Sequence, residues 1–214
     1  TYMRTDSTMM SSQALAQISA LVISEFGKEY LNTRQYATKS KSAQEAHEAI
    51  RPTRFQKKIV STGDERSLYE LIWRRSVASQ MSSADLLKTK VSANINSSTI
   101  PNFSTHGSRV LFDGWLKVDT RAHGEDTEVP KLSEGDRLKL IELKREDKET
   151  QPPNHYSEAG LIKELEKRGI GRPSTYASII QTLVSRGYVD KQGRTLIPTD
   201  TGDVVSSFLE EHFG

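Results

Sequence analysis

GIGRPSTYASIIQTLVSRGYVDKQGRTLIPT, running from Gly169 to Thr199, carries three kinds of local signal in a fixed order. Gly169, Gly171 and Pro173 mark a tight turn, and Pro173 suits the start of a helix because its missing N–H has no partner to lose there. Tyr176, Ile179, Ile180 and Leu183 then recur at the spacing of one helical face, so TYASIIQTLVSRG reads as a helix with that face in a core. YVDKQGRTLIPT follows as strand, Gln192-Gly193 turn and strand. Outward from this stretch, SEAGLIKELEKRG is a helix stopped by Gly169, and Asp203 to Phe213 is a closing helix. Helix, turn, helix and hairpin is the order of a winged helix.

The second helix of such a unit is the one presented to a nucleic acid. Thr175 and Arg186 lie eleven residues apart, which at about 100° per residue brings them back to nearly the same azimuth. With Arg172 in the turn and free N–H groups at the helix start, two readings stay open. One is a phosphate-binding line of guanidinium, hydroxyl and helix N-terminus; the other is an ordinary solvated face.

The composition leaves room for either. A chain of 214 residues accommodates one large domain or two to three small ones. With 35% hydrophobic and 27% charged residues it is polar, and no run approaches the ~18 apolar residues of a membrane span. No basic-then-apolar leader is present. The absence of cysteine excludes disulfides and thiolate zinc sites and fits a reducing compartment. A net charge of +2 is too small to diagnose nucleic-acid binding, which depends on how arginine and lysine are gathered.

From about Ser11 to Met81 the pattern is helical. Ser11 or Ser12 caps a helix whose apolar residues Leu15, Ile18, Leu21, Val22 and Phe26 recur at three and four, with Gly27 as its stop. KSAQEAHEAIRP predicts a short helix, with Ser42 and Glu45 at capping-box spacing and Pro52 ending the run. A third helix is expected from Glu65 to Met81, with Leu68, Leu71, Ile72 and Val77 as its buried stripe. From about Leu87 to Lys148 the period changes to two: KTKVSANI, SRVLFDGWLKV and DRLKLIELK alternate apolar and polar residues between loop signals. These predict a small antiparallel sheet or open barrel that serves as scaffold.

Two constellations outside the C-terminal region could carry chemistry. In an extended YMR segment Tyr2 and Arg4 face the same side, so a phenol and a guanidinium could address one phosphate. A free tyrosine, with a pKa of about 10, needs a neighbouring cation to become a nucleophile at neutral pH. His47 and Arg51 stand at i and i+4 on the expected short helix and could reach one ligand oxygen, the histidine donating a proton or hydrogen bond. The competing reading makes His47 an ordinary satisfied surface or core residue.

YMRTDST at the start, AQEAHEAIRPT in the middle and GIGRPSTYASII with RGYV near the end resemble, in order and separation, the signature segments of bacterial type IA DNA topoisomerases. The resemblance covers essentially the whole chain, and YMRTDS with GIGRPSTYA is closer to the topoisomerase I branch than to topoisomerase III. It implies an α+β multidomain fold. A helical, winged-helix-like domain carrying the tyrosine is expected at 1–86, an antiparallel β arch segment at 87–149, and part of a winged-helix DNA-binding domain at 150–214.

The resemblance also implies roles. Tyr2 is the nucleophile that forms a 5′-phosphotyrosine link, Arg4 and His47 belong to the catalytic centre, and Arg4, Arg51, Arg172, Ser174, Thr175 and Arg186 contact DNA. Magnesium is implied for the full enzyme, with ligands outside this chain on an N-terminal Toprim domain; none is expected to be bound by these residues. The chain then reads as a central fragment lacking that domain and a C-terminal tail. Its expected partners are single-stranded and negatively supercoiled DNA and the remaining domains of the same polypeptide, in a monomer located in the bacterial cytoplasm at the nucleoid. Met9 and Met10 stand where many family members have asparagine and leucine, and Gly160 replaces a commoner serine. The alternative is a non-catalytic winged-helix DNA-binding protein whose N-terminal half dimerises; such a protein has no reason to keep Tyr2, Arg4 and His47 together.

Overall fold

Helix α1 (Ser12–Phe26) begins where the Ser11 side chain accepts a hydrogen bond from the Ala14 N–H. It ends at Gly27, whose φ of 104° lets its N–H reach back to Val22 and Ile23 carbonyls. The computed structural model describes residues 5–37, 47–58, 61–95 and 99–213. Ala14, Ile18, Leu21 and Val22 of α1 pack with Phe55, Trp73, Val77 and Met81 to form the main core. Helix α2 (Gly63–Ala78) carries Asp64 and Glu65 in its first turn, where the helix dipole favours negative charge.

The stripe buried on α2 keeps Val77 of the expected one and departs from it at the leucines. Leu68 and Leu71 are about half exposed, at 53% and 47%, whereas Trp73, Ser76 and Val77 are buried. The Trp73 indole N–H donates to the Phe55 carbonyl at 2.7 Å, which fixes the rotation of α2 about its axis and turns its N-terminal leucines outward. The short helix expected around His47 is also corrected: His47 to Ala49 are not helical and Ile50 is a bend. Its Ser42–Glu45 capping box lies outside the described residues.

Strand β1 (Asp85–Ala93) pairs antiparallel with β2 (Phe103–Phe112), with Thr89 opposite Gly107 and Ser92 opposite Ser104. Thr127 adds one further rung by exchanging both main-chain bonds with Ser108, at 2.8 and 3.1 Å. A side chain at Gly107 would meet the Thr127 carbonyl at 2.8 Å, so glycine permits this approach. DRLKLIELK forms no strand, and Leu138, Leu140, Ile141 and Leu143 are exposed. Alternation fixes which side chains share a face, but a strand also needs a partner edge. GWLKV is not a strand either: Gly114 to Lys117 is a 3-10 turn. Gly114 has φ 48°, and a Cβ there would collide with the Ser83 carbonyl and lie 2.6 Å from that of Ser82.

That turn ties the ribbon to the helices. Trp115 N–H donates to Ser82 O at 2.9 Å, and the Tyr30 hydroxyl donates to Asp113 Oδ1 at 2.8 Å. The Tyr30 ring lies 5.0 Å from that of Phe112, and Lys117 pairs with Asp113 at 3.2 Å. Tyr30→Phe keeps the ring contact and removes one partly buried hydrogen bond, so a loss of about 1 kcal/mol is expected. The urea midpoint of the chain checks it; an unchanged midpoint would show that Lys117 alone satisfies Asp113.

By contacts the chain divides into two compact units, residues 1–143 and 144–214, and the ribbon goes with the helices in the first. The second unit opens with α3 (Glu158–Lys167), capped by Ser157, which accepts from the Gly160 N–H at 3.1 Å. The helix closes at Gly169, with φ 71°, and Ile170 N–H returning to Leu165 O. Then come α4 (Tyr176–Ser185), β3 (Val189–Gln192), β4 (Thr195–Pro198) and α5 (Asp200–Phe213). The last helix starts at Asp200, three residues before the expected Asp203, because Thr199 Oγ1 accepts from the Gly202 N–H and so acts as its cap. Ile180 and Leu196 are the buried apolar residues here, and Tyr176, Ile179 and Leu183 are partly covered beside Ile180 on one face, as their spacing predicts. The architecture is mixed α/β, with two small antiparallel sheets among the described residues.

Candidate active site and nucleic-acid face

Two signature segments far apart in sequence meet in the first unit. Tyr2 and Arg4 lie outside the described residues, and Thr5 to Ser11 show how that segment is held. It folds on itself first: Ser7 N–H donates to Thr5 Oγ1 at 3.0 Å and Met9 N–H to Ser7 Oγ at 3.2 Å, leaving Ser7 only 8% exposed. One flank is held by residues 35–36. Gln35 Nε2 donates to Met10 O at 2.8 Å, Met10 N–H donates to Gln35 Oε1 at 3.4 Å, and Thr8 Oγ1 donates to Tyr36 O at 2.9 Å.

On the other flank lies the AHEAIRPT segment. Ala49 N–H donates to Met9 O at 2.8 Å, and Ser11 lies close enough to the Glu48 carboxylate to favour its ionised form. Arg51 Nε donates to Glu48 Oε2 and Nη1 to Pro52 O. The segment is anchored downstream, where Pro52 and Phe55 are buried and the Phe55 carbonyl takes the Trp73 indole N–H. His47 is half-buried at the head of this segment. Arg51 pairs with Glu48, three residues before it.

The Arg51 hydrogen bond holds the Glu48 carboxyl below its ordinary range, against the opposing effect of burial, with help from Ser11. A carboxyl whose pKa falls on folding adds stability above its unfolded pKa. That contribution disappears only as the pH drops through the lowered folded value, on the acid side of the usual glutamate range. Sequence reasoning passed over Glu48, Gln35 and Phe55. Glu48 was legible as the acidic neighbour of a candidate histidine; Gln35 carried no local signal, because its role is a contact with a main chain 25 residues away.

In the second unit Arg172, Ser174, Thr175 and Arg186 are all exposed. The Thr175 hydroxyl is engaged within its own turn: it accepts from the Arg172 N–H at 2.9 Å and donates to Arg172 O at 3.1 Å. It therefore locks the GIGRPST turn and leaves Arg172 and Arg186 as the cations at the two ends of α4. A rise of 1.5 Å per residue separates these ends by about 15 Å. Among the described residues neither guanidinium is paired with a carboxylate. Among the same residues no group of three or more histidine, aspartate or glutamate side chains is arranged to hold a metal ion. No helix there is long and apolar enough to cross a membrane.

A family model described as DNA topoisomerase matches residues 1–214. The chain belongs to the bacterial DNA topoisomerase family. It is 45% identical over 230 residues to DNA topoisomerase 1 of Streptomyces coelicolor, covering all of this chain and 24% of that protein. It is 46% identical over 222 residues to DNA topoisomerase 1 of Pseudomonas aeruginosa, covering all of this chain and 25% of that protein. Full-length topoisomerase I from Thermotoga maritima superimposes with a TM-score of 0.85 at 36% identity, over 99% of this chain and 35% of that one. The chain thus spans about a quarter of the length of these curated topoisomerase relatives.

Proposed function

We propose that this chain is the tyrosine-bearing part of an ATP-independent type IA DNA topoisomerase, which cuts one DNA strand, passes another through the break and reseals it, relaxing negative supercoils. The observation that supports the reading is the main-chain bond from Ala49 of AHEAIRPT to Met9, the residue that follows YMRTDST, within a chain of this family. Tyr2 Oη attacks the phosphorus of a single-stranded phosphodiester. The new O–P ester forms as the P–O3′ bond breaks, the phenol proton leaves to a base, and the 3′-oxygen takes up a proton. One phosphodiester is exchanged for another, so the 3′-hydroxyl can reseal the strand without ATP. Arg4 and His47 stabilise the charge that builds on the phosphoryl oxygens.

Magnesium, where the full enzyme uses it, would neutralise phosphate charge, held by ligands on other domains of the polypeptide. The α3–α4–hairpin order of the second unit is read as a winged helix in which Arg172, Ser174 and Arg186 meet the DNA backbone and Thr175 shapes the turn. Arg51 acts through Glu48 as well as toward DNA. The partner is single-stranded or negatively supercoiled DNA, bound by a monomer in the bacterial cytoplasm. A three-part division at residues 86 and 149, with the ribbon in the arch, accompanies this reading.

The test is adduct formation on labelled single-stranded DNA by this chain supplied with the remaining family domains and magnesium; a complemented protein that binds DNA but never becomes linked to it refutes the proposal. A separate expectation concerns the cations of α4. Arg186→Ala should lower the salt dependence of single-strand binding by about one phosphate contact, a slope change of about 0.7. Titrations at several salt concentrations measure it, and an unchanged slope would remove Arg186 from the DNA path.

A further inference from the structure

Residues 32–36 form a strap between the end of α2 and the stretch that follows the tyrosine motif. One side of it is fixed to three consecutive residues. Arg34 N–H donates to Gln80 Oε1 at 2.8 Å, Asn32 N–H to Gln80 O at 3.0 Å, Arg34 Nη2 to Met81 O at 3.2 Å and the Tyr36 hydroxyl to Ser79 O at 2.8 Å. Gln80 and Met81 are each 1% exposed, so little water competes for these acceptors. The other side of the strap holds the main chain of residues 8 and 10. Gln35 spends both ends of its carboxamide on one residue: Nε2 donates to Met10 O at 2.8 Å and Oε1 accepts the Met10 N–H at 3.4 Å. A carboxamide carries donor and acceptor side by side, as the main chain of one residue does, so the pair fixes register where a single bond would let the chain swing. Thr8 Oγ1 adds a bond to Tyr36 O at 2.9 Å, and from the opposite flank the Ala49 N–H takes Met9 O.

We propose that Gln35 is a positioning residue for strand cleavage: by gripping both main-chain groups of Met10, it holds the tyrosine-bearing segment in register with the strap and hence with the buried end of α2. The tie stands on the hydrogen bonds alone; its catalytic consequence rests on the topoisomerase reading. Gln35 does not touch the scissile phosphate in this scheme. It acts through the main chain eight residues after Tyr2, where a slip shifts the attacking group against the phosphorus. Attack in line with the leaving oxygen tolerates little displacement, so losing the grip lowers the cleavage rate constant without weakening the hold on DNA.

Two measurements separate the tie from its consequence. In the 214-residue chain, Gln35→Ala should raise amide exchange at Met10 by about tenfold or more while Val22 in the α1 core stays protected. Gln35→Met keeps the length of the side chain, loses both bonds and should do the same. Exchange at Met10 that stays at the wild-type level in either variant overturns the tie. In the full-length protein with magnesium, both variants should slow single-turnover cleavage of an end-labelled single strand by about tenfold, with the dissociation constant within about twofold of wild type. A purely structural loss reads differently: it lowers the fraction of enzyme that cleaves and leaves the rate constant of that fraction unchanged. A wild-type rate constant, a fall in amplitude alone, or a dissociation constant raised as much as the rate falls overturns the positioning role. An adduct that survives Tyr2→Phe sinks the topoisomerase reading, while exchange at Met10 still decides the tie.

Discussion

Tyr2→Phe abolishes the covalent link to DNA while leaving single-strand binding nearly intact: this is the largest effect expected of any single change in the chain. Phenylalanine keeps the ring and loses only Oη, the atom assigned to attack phosphorus. No neighbouring side chain within the motif substitutes for it. Thr5 Oγ1 accepts the Ser7 N–H, Ser7 Oγ accepts the Met9 N–H, and Thr8 Oγ1 donates to the Tyr36 carbonyl. These hydroxyls are committed to the fold of the segment. The experiment uses full-length protein with magnesium and an end-labelled single strand, resolved under denaturing conditions. An adduct that persists in Tyr2→Phe would assign the chemistry to another residue and remove the basis of the proposed function.

The second large effect falls on stability. Phe55 is fully buried between α1 and α2, and its side chain fills the space beside Ile18, Val22, Trp73 and Val77. Phe55→Ala should cost about 3–5 kcal/mol, the range for truncating a buried aromatic to alanine, because packed helices close only part of the cavity. The backbone carbonyl that takes the Trp73 indole remains, so the loss reads packing rather than that hydrogen bond. Denaturant unfolding of the chain gives the magnitude from the midpoint shift at constant slope. A loss under about 1 kcal/mol would mean that the 47–58 segment is not anchored by Phe55. Because this residue lies downstream of His47 and Glu48 on the same segment, the variant should also loosen the Ala49–Met9 tie.

The local reading succeeded where a residue's role is decided by its neighbours in sequence. Ser11 and Gly27 bound α1 because a hydroxyl cap and a positive φ are local requirements. Gly169 ends α3 and the Gln192-Gly193 turn closes the β3–β4 hairpin for the same reason. It failed where the decision is tertiary. The alternation in DRLKLIELK is real, yet an apolar face without an adjoining edge yields no ladder. Leu68 and Leu71 have helical spacing, yet the Trp73–Phe55 bond turns that face to solvent. His47 and Arg51 have the spacing of one helical face, yet His47 to Ala49 are not helical.

The sequence by itself determined the elements of α1, α3, α4 and the hairpin, the order of the three signature segments and, through them, the family. Each depends on dihedral preference, capping or side-chain identity, which the chain carries locally. Only the tertiary structure decided that Met9 pairs with Ala49 and that Gln35 takes the main chain of Met10. Those bonds join main-chain groups common to every residue, or polar side chains with several equivalent partners. Which partner is taken follows from where packing around Ile18, Phe55 and Trp73 sets the segments down.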